Sequence, residues 1–139
     1  MKRLAILPVA LVALLAFNTA LASAKVIDLR GKYKGAVCVS IDTVDGCETD
    51  PEYPHVKKIK DEDLKTGKVS GPNFKGKIVG CVLKIHVTDD SGYTSDEKET
   101  ITEHGKLLEG SFSDSNGSSG PDYDKRVGKV PGRNRNLCP

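Results

Sequence analysis

The three histidines are the first side chains to consider, because imidazole can bind a metal ion or move a proton. His55, His86 and His104 lie far apart and in no H-x-x-x-H spacing, which would place two imidazoles on one helix face. The sequence therefore predicts no metal site and no cofactor, and three histidines on the surface or in a sheet. The acids between Asp89 and Glu103 are expected to form a solvated, turn-rich edge.

A second constellation could hold calcium. Asp114, Asn116 and Ser118 alternate as at the start of an EF-hand loop. The glycine that such a loop requires is displaced, and Lys125 occupies the position of the bidentate acid. We predict a solvated loop at this position, and calcium binding stays an open alternative.

Nucleophilic catalysis has little support in the chain. There is no G-x-S-x-G segment, and the four cysteines are an even set that is expected to pair. The residues therefore favour a binding protein over an enzyme.

The first 24 residues have the three parts of a secretory signal peptide. Lys2 and Arg3 precede an apolar run from Leu4 to Phe17, and small residues ending in Ala24 follow. This pattern predicts cleavage after Ala24, export to the periplasm or medium, and a single domain over residues 25–139. No second apolar run follows, so we expect no membrane span in the mature chain.

Charge argues against nucleic acid as a partner. The chain has 21 Lys and Arg against 19 Asp and Glu, and two of the basic residues, Lys2 and Arg3, belong to the predicted signal peptide. The mature chain is then neutral, without the basic excess that draws nucleic acid or anionic membrane.

The cysteines Cys38, Cys47, Cys81 and Cys138 predict two disulfides, since an exported chain meets an oxidising compartment. Cys38 and Cys47 flank a turn-rich stretch, so a local bridge between them is favoured. Cys81 would then anchor Cys138, which ends a basic tail from about residue 131. The rival pairing of Cys38 with Cys81 and Cys47 with Cys138 stays open.

The clearest structural signal is the alternation between Leu29 and Ile41. Every second residue from Leu29 is apolar or glycine, and those between are mostly charged or polar, as in a half-buried strand. Tyr33 would face inward and Cys38 outward. Residues 74–90 predict a second strand, with a register change such as a bulge near Gly80.

The rest of the chain also favours strands and turns. Residues 43–55 predict a loop, and residues 56–74 allow either a short helix or a hairpin. Residues 98–114 predict two strands around His104 and Gly105, with a helix from Ser95 as the alternative. A flexible loop at residues 113–122 would precede a last short strand. The sum predicts an all-β fold, a small antiparallel barrel or sandwich with two disulfides.

Two segments resemble small secreted microbial guanyl-specific ribonucleases, GAVCVS at 35–40 and VPGRNRNLC at 130–138. The resemblance implies a glutamate base and a histidine acid that follows the arginine segment. No histidine follows those arginines here, and Glu103 and His104 are neighbours that would face opposite ways on a strand. A small secreted hydrolase is therefore kept only as an alternative.

LRGKYKGAV at 29–37 resembles the first strand of lipocalin-like (calycin) barrels, which carries a Gly-x-aromatic at the barrel floor. GPDYDKR at 120–126 is similar to their later T-D-Y motif, with Pro121 in place of threonine and Tyr33 in place of the usual tryptophan. The resemblance implies a barrel fold, and a tail cysteine bonded to a mid-barrel strand would match Cys138 with Cys81.

Together these observations predict a monomeric, exported, non-catalytic module that binds a small apolar ligand or an envelope protein. The alternative is a protein-interaction or inhibitor module that uses an exposed loop at residues 42–55. The residues expected to line an apolar ligand pocket are Tyr33, Val37, Val39, Leu83, Ile85 and Phe112.

Overall fold

The computed structural model describes residues 25–139, and nine strands form a single antiparallel sheet. The predicted signal peptide lies outside the described residues. The strands are β1 (Gly31–Val37), β2 (Tyr53–Ile59), β3 (Asp61–Glu62), β4 (Lys68–Gly71), β5 (Phe74–Val79), β6 (Val82–Thr88), β7 (Thr94–Thr102), β8 (Leu107–Asp114) and β9 (Ser119–Val127). Among the described residues, one α-helix, α1 (Val44–Thr49), and two 3-10 turns, Glu103–Gly105 and Gly132–Asn134, complete the elements. Within residues 25–139, no helix is long and apolar enough to cross a membrane.

The sheet curls into a nearly closed barrel. Its strand order is β2-β1-β9-β8-β7-β6-β5-β4-β3, so the chain passes directly from one edge of the sheet to the other between β2 and β3. The amide of Lys60, at that crossing, donates to the carbonyl of Ser70 at 2.9 Å. The predicted all-β antiparallel barrel is confirmed, and edge pairing is the physical reason for closure.

The first strand is shorter than its alternation predicted. Leu29 and Tyr33 are buried as expected, but β1 ends at Val37, and Val39 is 40% exposed. The prediction of an inward strand as far as Ile41 was therefore wrong, because the chain turns away to enter α1. Thr43 caps that helix by accepting from the amide of Gly46 at 3.1 Å.

The outer face of β1 is not entirely exposed to solvent. Ala36 and Cys38 are fully buried, with Cys47, in a small apolar cluster outside the barrel. Helix α1 covers this cluster, so the loop predicted over residues 43–55 contains a helix and the start of β2. A side chain on the outer face of a strand is exposed only where no other element packs against it.

Residues 74–90 form two strands where one was predicted. Gly80 has a φ of 60°, a left-handed conformation that glycine adopts without strain, and the chain reverses there between β5 and β6. Ile78 pairs with Leu83 across this hairpin, so both sets of apolar residues face the core without a bulge. Cys81 therefore lies in the turn.

The segments for which the sequence allowed either a helix or strands form strands. Residues 56–74 hold the rest of β2 and the strands β3 and β4, and no helix from Val56 forms. β7 and β8 flank the 3-10 turn at Glu103–Gly105, as the strand prediction required, and the helical alternative from Ser95 was wrong. One apolar residue, Ile101, would not have given that helix a buried face.

The predicted flexible loop at 113–122 is only a tight turn between β8 and the nine-residue β9. Asp114 Oδ1 accepts from the amides of Asn116 at 2.9 Å and Ser118 at 2.8 Å. The alternation that resembled a calcium loop is therefore explained by a side chain that closes a turn.

Both predicted disulfides are present, Cys38–Cys47 and Cys81–Cys138, and the favoured pairing is confirmed. The second bridge fixes the tail beneath the barrel. There the buried Asn134 accepts from the amide of Asp28 at 2.9 Å and donates to its carbonyl at 2.8 Å. The tail thus closes one end of the barrel and leaves the other end for access.

Candidate functional site

The barrel interior has an apolar floor. Tyr33 lies at its centre, with its hydroxyl donating to the carbonyl of Gly105 at 3.0 Å. Arg126 lies over the Tyr33 ring, 5.3 Å from the ring centroid to Cζ, and donates to the carbonyl of Arg30 at 2.6 Å. The other fully or almost fully buried floor residues include Ile27, Leu29, Ile59, Leu83, Ile101 and Leu108.

A layer of ionisable side chains lies above this floor, which we call the charged layer. It consists of one lysine, one histidine and four acids. They are Lys57 and His55 from β2, Glu97 and Glu99 from β7, and Asp122 and Asp124 from β9.

Two glycines lie beside the charged layer, where neighbouring strands approach closely. Gly35 of β1 pairs with His55 on one side and Asp124 on the other, and Gly110 of β8 pairs with Glu99 and Asp122. A Cβ added at Gly35 would lie 2.6 Å from Asp124 Oδ1, closer than real atoms approach. Glycine within a strand often marks such a close approach.

Lys57 is the central cation of the layer. Its Nζ lies 2.6 Å from Asp124 Oδ2, 2.8 Å from Glu97 Oε2 and 2.9 Å from Glu99 Oε1, with 4% of its side chain exposed. Burial works against the charged amine, but the surrounding carboxylates outweigh it and raise the pKa of Lys57 well above its ordinary value. The carboxylates around Lys57 therefore favour its ammonium form.

His55 and Asp124 form a second ionic contact, 3.1 Å from Nε2 to Oδ1. Burial opposes protonation of His55, but the hydrogen bond and charge of Asp124 outweigh it and raise the pKa of the imidazole. Burial equally opposes ionisation of Asp124, yet Lys57 and the hydrogen bond from His55 lower the pKa of that carboxyl. Asp124 is thus the carboxylate that holds both cationic groups.

Asp122 is the least compensated member of the layer. It is 0% exposed, and neither of its oxygens has a hydrogen-bond partner among residues 25–139. Burial raises the pKa of Asp122 to about 7, and burial also raises the pKa of Glu99 well above its ordinary value. Four acids facing one lysine and one histidine leave a surplus of negative charge, which protons or a bound cation must meet.

This surplus predicts an acid optimum of stability. The pKa of Asp122 rises from 3.8 in the unfolded chain to about 7 in the folded one, so the folded state binds the extra proton between these values. Stability is therefore greatest near the lower pH and falls as the pH rises through 7, by up to about 4 kcal/mol for this group. Urea unfolding between pH 4.5 and pH 8 measures the change.

The variant Asp122→Asn tests whether Asp122 causes this fall of stability with rising pH. We expect it to be more stable than the wild type by a margin that is small near pH 4.5 and grows up to pH 8, because the unfolded wild type is stabilised by ionisation of Asp122 above its ordinary pKa of 3.8. Asp90→Asn, at an exposed position, is the control and should leave the slope unchanged. A wild-type stability that rises from pH 5 to pH 8 would contradict the prediction. Glu62, whose pKa burial also raises to about 7, contributes to the slope that remains, together with Glu99 and His55, whose pKa values are also raised.

The charged layer is reached from the mouth of the barrel, opposite the floor. A recess of about 320 Å³ leads inward there, and three members of the layer, His55, Lys57 and Glu97, lie along it. Its remaining lining residues are Val37, Val56, Lys58, Pro72, Asn73, Phe74, Val87, Tyr93 and Ser95. The recess therefore has mainly apolar walls, and Glu97 is the acid of the charged layer that lines it.

The residues predicted to line one apolar pocket lie in two separate places in the structure. Tyr33 and Leu83 belong to the floor and are fully buried, while Ile85 is a buried core residue above it. Val37, Val39 and Phe112 do meet, with Tyr53 and Tyr93, in a second recess of about 370 Å³ at the mouth. A binding role for these residues stays a prediction.

Sequence reasoning missed the charged layer. The acids of residues 89–103 were expected in solvent, but Glu99 is fully buried, and His55 is half-buried beside Asp124. A signal was present, because Lys57, Glu99 and Asp124 each have an ionisable residue two positions away on the same strand. Side chains two apart share a face, so three strands each carry two charges inward.

The other two histidines fit the prediction better. His86 pairs with the exposed Asp96 at 2.7 Å. His104 lies in the 3-10 turn, with Nδ1 3.0 Å from the carbonyl of Leu137. Glu103 and His104 are therefore not opposed on a strand, and the acid and base of a ribonuclease are not brought together by this pair.

The charged layer can bind cations and hold protons. All four cysteines are in disulfides, so they supply no thiolate nucleophile, and neither disulfide lies in the layer. The ionisable groups that line the recess are the carboxylate of Glu97, the imidazole of His55 and the amines of Lys57 and Lys58. No protein-family model, curated protein or solved structure matches the chain significantly.

Proposed function

We propose that this protein is a non-catalytic binding module that takes a small amphipathic cation into the mouth of the barrel. The ligand would have an apolar body and a protonated amine. The observation that carries the proposal is a mainly apolar recess lined by Glu97, which belongs to the buried layer of four acids. Ligand sites in proteins commonly combine an apolar lining with a few converging polar groups.

The walls and the end of the recess suit the two parts of such a ligand. Phe74 and Val87 pair across β5 and β6 and, with Val37, present aliphatic and aromatic surface. Glu97 lies farther in, where its Oε2 contacts Lys57 at 2.8 Å. An amine placed there would add a second positive charge beside Glu97 and reduce the negative surplus, which an alcohol or a carboxylate would not do.

Export forms part of the same proposal. The two disulfides are typical of an oxidising, extracellular compartment. We propose that residues 1–24 direct the chain there as a signal peptide, and that the ligand is met outside the cytoplasm.

The test uses three ligands of equal chain length. Octylamine, octanol and octanoate are titrated into the protein at pH 7.5 by calorimetry. We expect octylamine to bind at least about tenfold more tightly than octanol, which corresponds to one favourable charged contact of about 1.4 kcal/mol, and octanoate not to bind. Glu97→Gln should remove the preference for the amine, while the neighbouring exposed variant Asp96→Asn should keep it.

Two results would oppose the proposal. If octanol bound as tightly as octylamine, the ligand would be apolar, as the sequence alone predicted. If none of the three bound, a role as a protein-interaction module would be favoured. That second candidate rests on the exposed Val39, Tyr53 and Val56 at the mouth, beside the segment that carries α1.

A further inference from the structure

We infer that His55, Asp122 and Asp124 form a binding site for one divalent transition-metal ion, of the class of Zn²⁺ or Mn²⁺, within the charged layer. The site lies deeper than the position proposed for an amine. It would bind its ion with no amine present, so the inference goes beyond the proposed function and does not depend on it.

The geometry brings three donor groups together from two strands. One ligand atom from each of His55, Asp122 and Asp124 lies within 4.8 Å of the other two. Donors on opposite sides of one ion are at most about 4.3 Å apart, twice the metal–ligand distance. A shift of less than about 1 Å would therefore complete the contact. Gly35 leaves the space, because a side chain there would meet Asp124 Oδ1 at 2.6 Å.

Asp122 provides an independent sign of a missing ligand. Both of its oxygens are buried with no partner among residues 25–139, although the residue is 0% exposed. Buried carboxylate oxygens nearly always have a hydrogen-bond donor or a metal ion. An ion between Asp122 and His55 would satisfy an oxygen for which the described residues provide no donor.

A second group of acids, Glu97, Glu99 and Asp122, also has ligand atoms close enough for one ion. That side of the layer already contains a cation, because Lys57 Nζ lies 2.8 Å from Glu97 and 2.9 Å from Glu99. A divalent ion there would lie against the ammonium and be repelled about twice as strongly as a singly charged amine. On the side of His55, Lys57 contacts only one of the three proposed ligands, Asp124, and does so through Oδ2 at 2.6 Å. The ion would bind Oδ1, so Lys57 would orient that carboxylate through its other oxygen.

The donor set indicates the class of ion. One imidazole nitrogen with two carboxylates is typical of Zn²⁺, Mn²⁺ or Fe²⁺, whereas Ca²⁺ and Mg²⁺ prefer oxygen ligands alone. A doubly charged ion would also compensate negative charge in the layer, where four acids face one lysine and one histidine. The ion would enter from the recess, since His55 lines it and its side chain is 28% exposed.

The test is calorimetric titration of the full chain, treated with a chelator and then dialysed, with Zn²⁺ at pH 7.5. We expect one ion per chain and a rise in the thermal midpoint. Asp122→Asn and His55→Asn should each weaken binding at least about 100-fold. The control is the double variant His86→Asn with Asp96→Asn, which removes an exposed pair of the same two residue types, 2.7 Å apart, and should bind as the wild type does.

Cobalt gives a second readout that separates lost ligands from lost folding. Co²⁺ bound by the wild type should show visible absorption that His55→Asn changes, while circular dichroism shows both metal-free proteins folded. The inference is overturned if the wild type binds no Zn²⁺ at a stoichiometry of one, or if the exposed double variant loses binding. It is also overturned if Glu97→Gln abolishes binding and His55→Asn does not, because the ion would then lie in the all-carboxylate group.

Discussion

Replacement of Lys57 by methionine is expected to lower the free energy of unfolding by about 3–5 kcal/mol at pH 7.5. The amine contacts three carboxylates at 2.6 to 2.9 Å, and methionine fills a similar volume without the charge. The acids would be left facing each other in a buried site, with only His55 to compensate them. Urea unfolding followed by circular dichroism measures the loss.

Lys58→Met is the matched control, because Lys58 is the next residue on β2 and is exposed. It should change stability by less than about 0.5 kcal/mol. The double variant Lys57→Met with Glu99→Gln should recover part of the loss, since it also removes one buried acid. Equal effects of the two lysine variants would show that the charged layer is not held together by Lys57.

Loss of the Cys81–Cys138 bridge is the second large effect expected. The cysteines are 57 residues apart, and loop-closure entropy for that length gives about 4 kcal/mol. The double variant Cys81→Ser with Cys138→Ser should therefore destabilise the protein by this amount. It should also free the tail, whose Asn134 hydrogen-bonds to Asp28.

Loss of the shorter disulfide, Cys38–Cys47, is the comparison for loss of the longer one. Cys38 and Cys47 are nine residues apart, so the same reasoning gives only about 2.5 kcal/mol for their replacement by serine. That variant should loosen α1, which covers the small cluster around Ala36, and leave the barrel closed. A larger loss from the short bridge than from the long one would contradict the account of the tail as a floor for the barrel.

Much of the barrel could be predicted because its signals are local. The alternation around Tyr33 identifies a strand with one buried face, and the spacing of Cys38 and Cys47 favours a local bridge. The two strands around His104 follow from the absence of an apolar helical face. Where prediction failed, a neighbouring element decided the outcome: α1 buries Cys38, and Gly80 reverses the chain where a single strand was expected.

The charged layer could not be predicted with the same reasoning. When its strand is considered alone, an acid such as Glu99 is predicted to be exposed to solvent, because burial of a lone carboxylate is costly. Its partner Lys57 is 42 residues away and meets it only because the sheet closes on itself. Long-range pairing of opposite charges therefore needed the strand order and register, which a single sequence does not supply.

The central claim is that the barrel interior carries more negative charge than its own residues compensate. Carboxyl-carbon NMR of Asp122, titrated with pH in the metal-free protein, tests this most directly. We expect an apparent pKa of about 7 in the wild type and a shift of this titration to lower pH when Zn²⁺ is added. A carboxyl that titrates near 3.8, the ordinary value for aspartate, would contradict it.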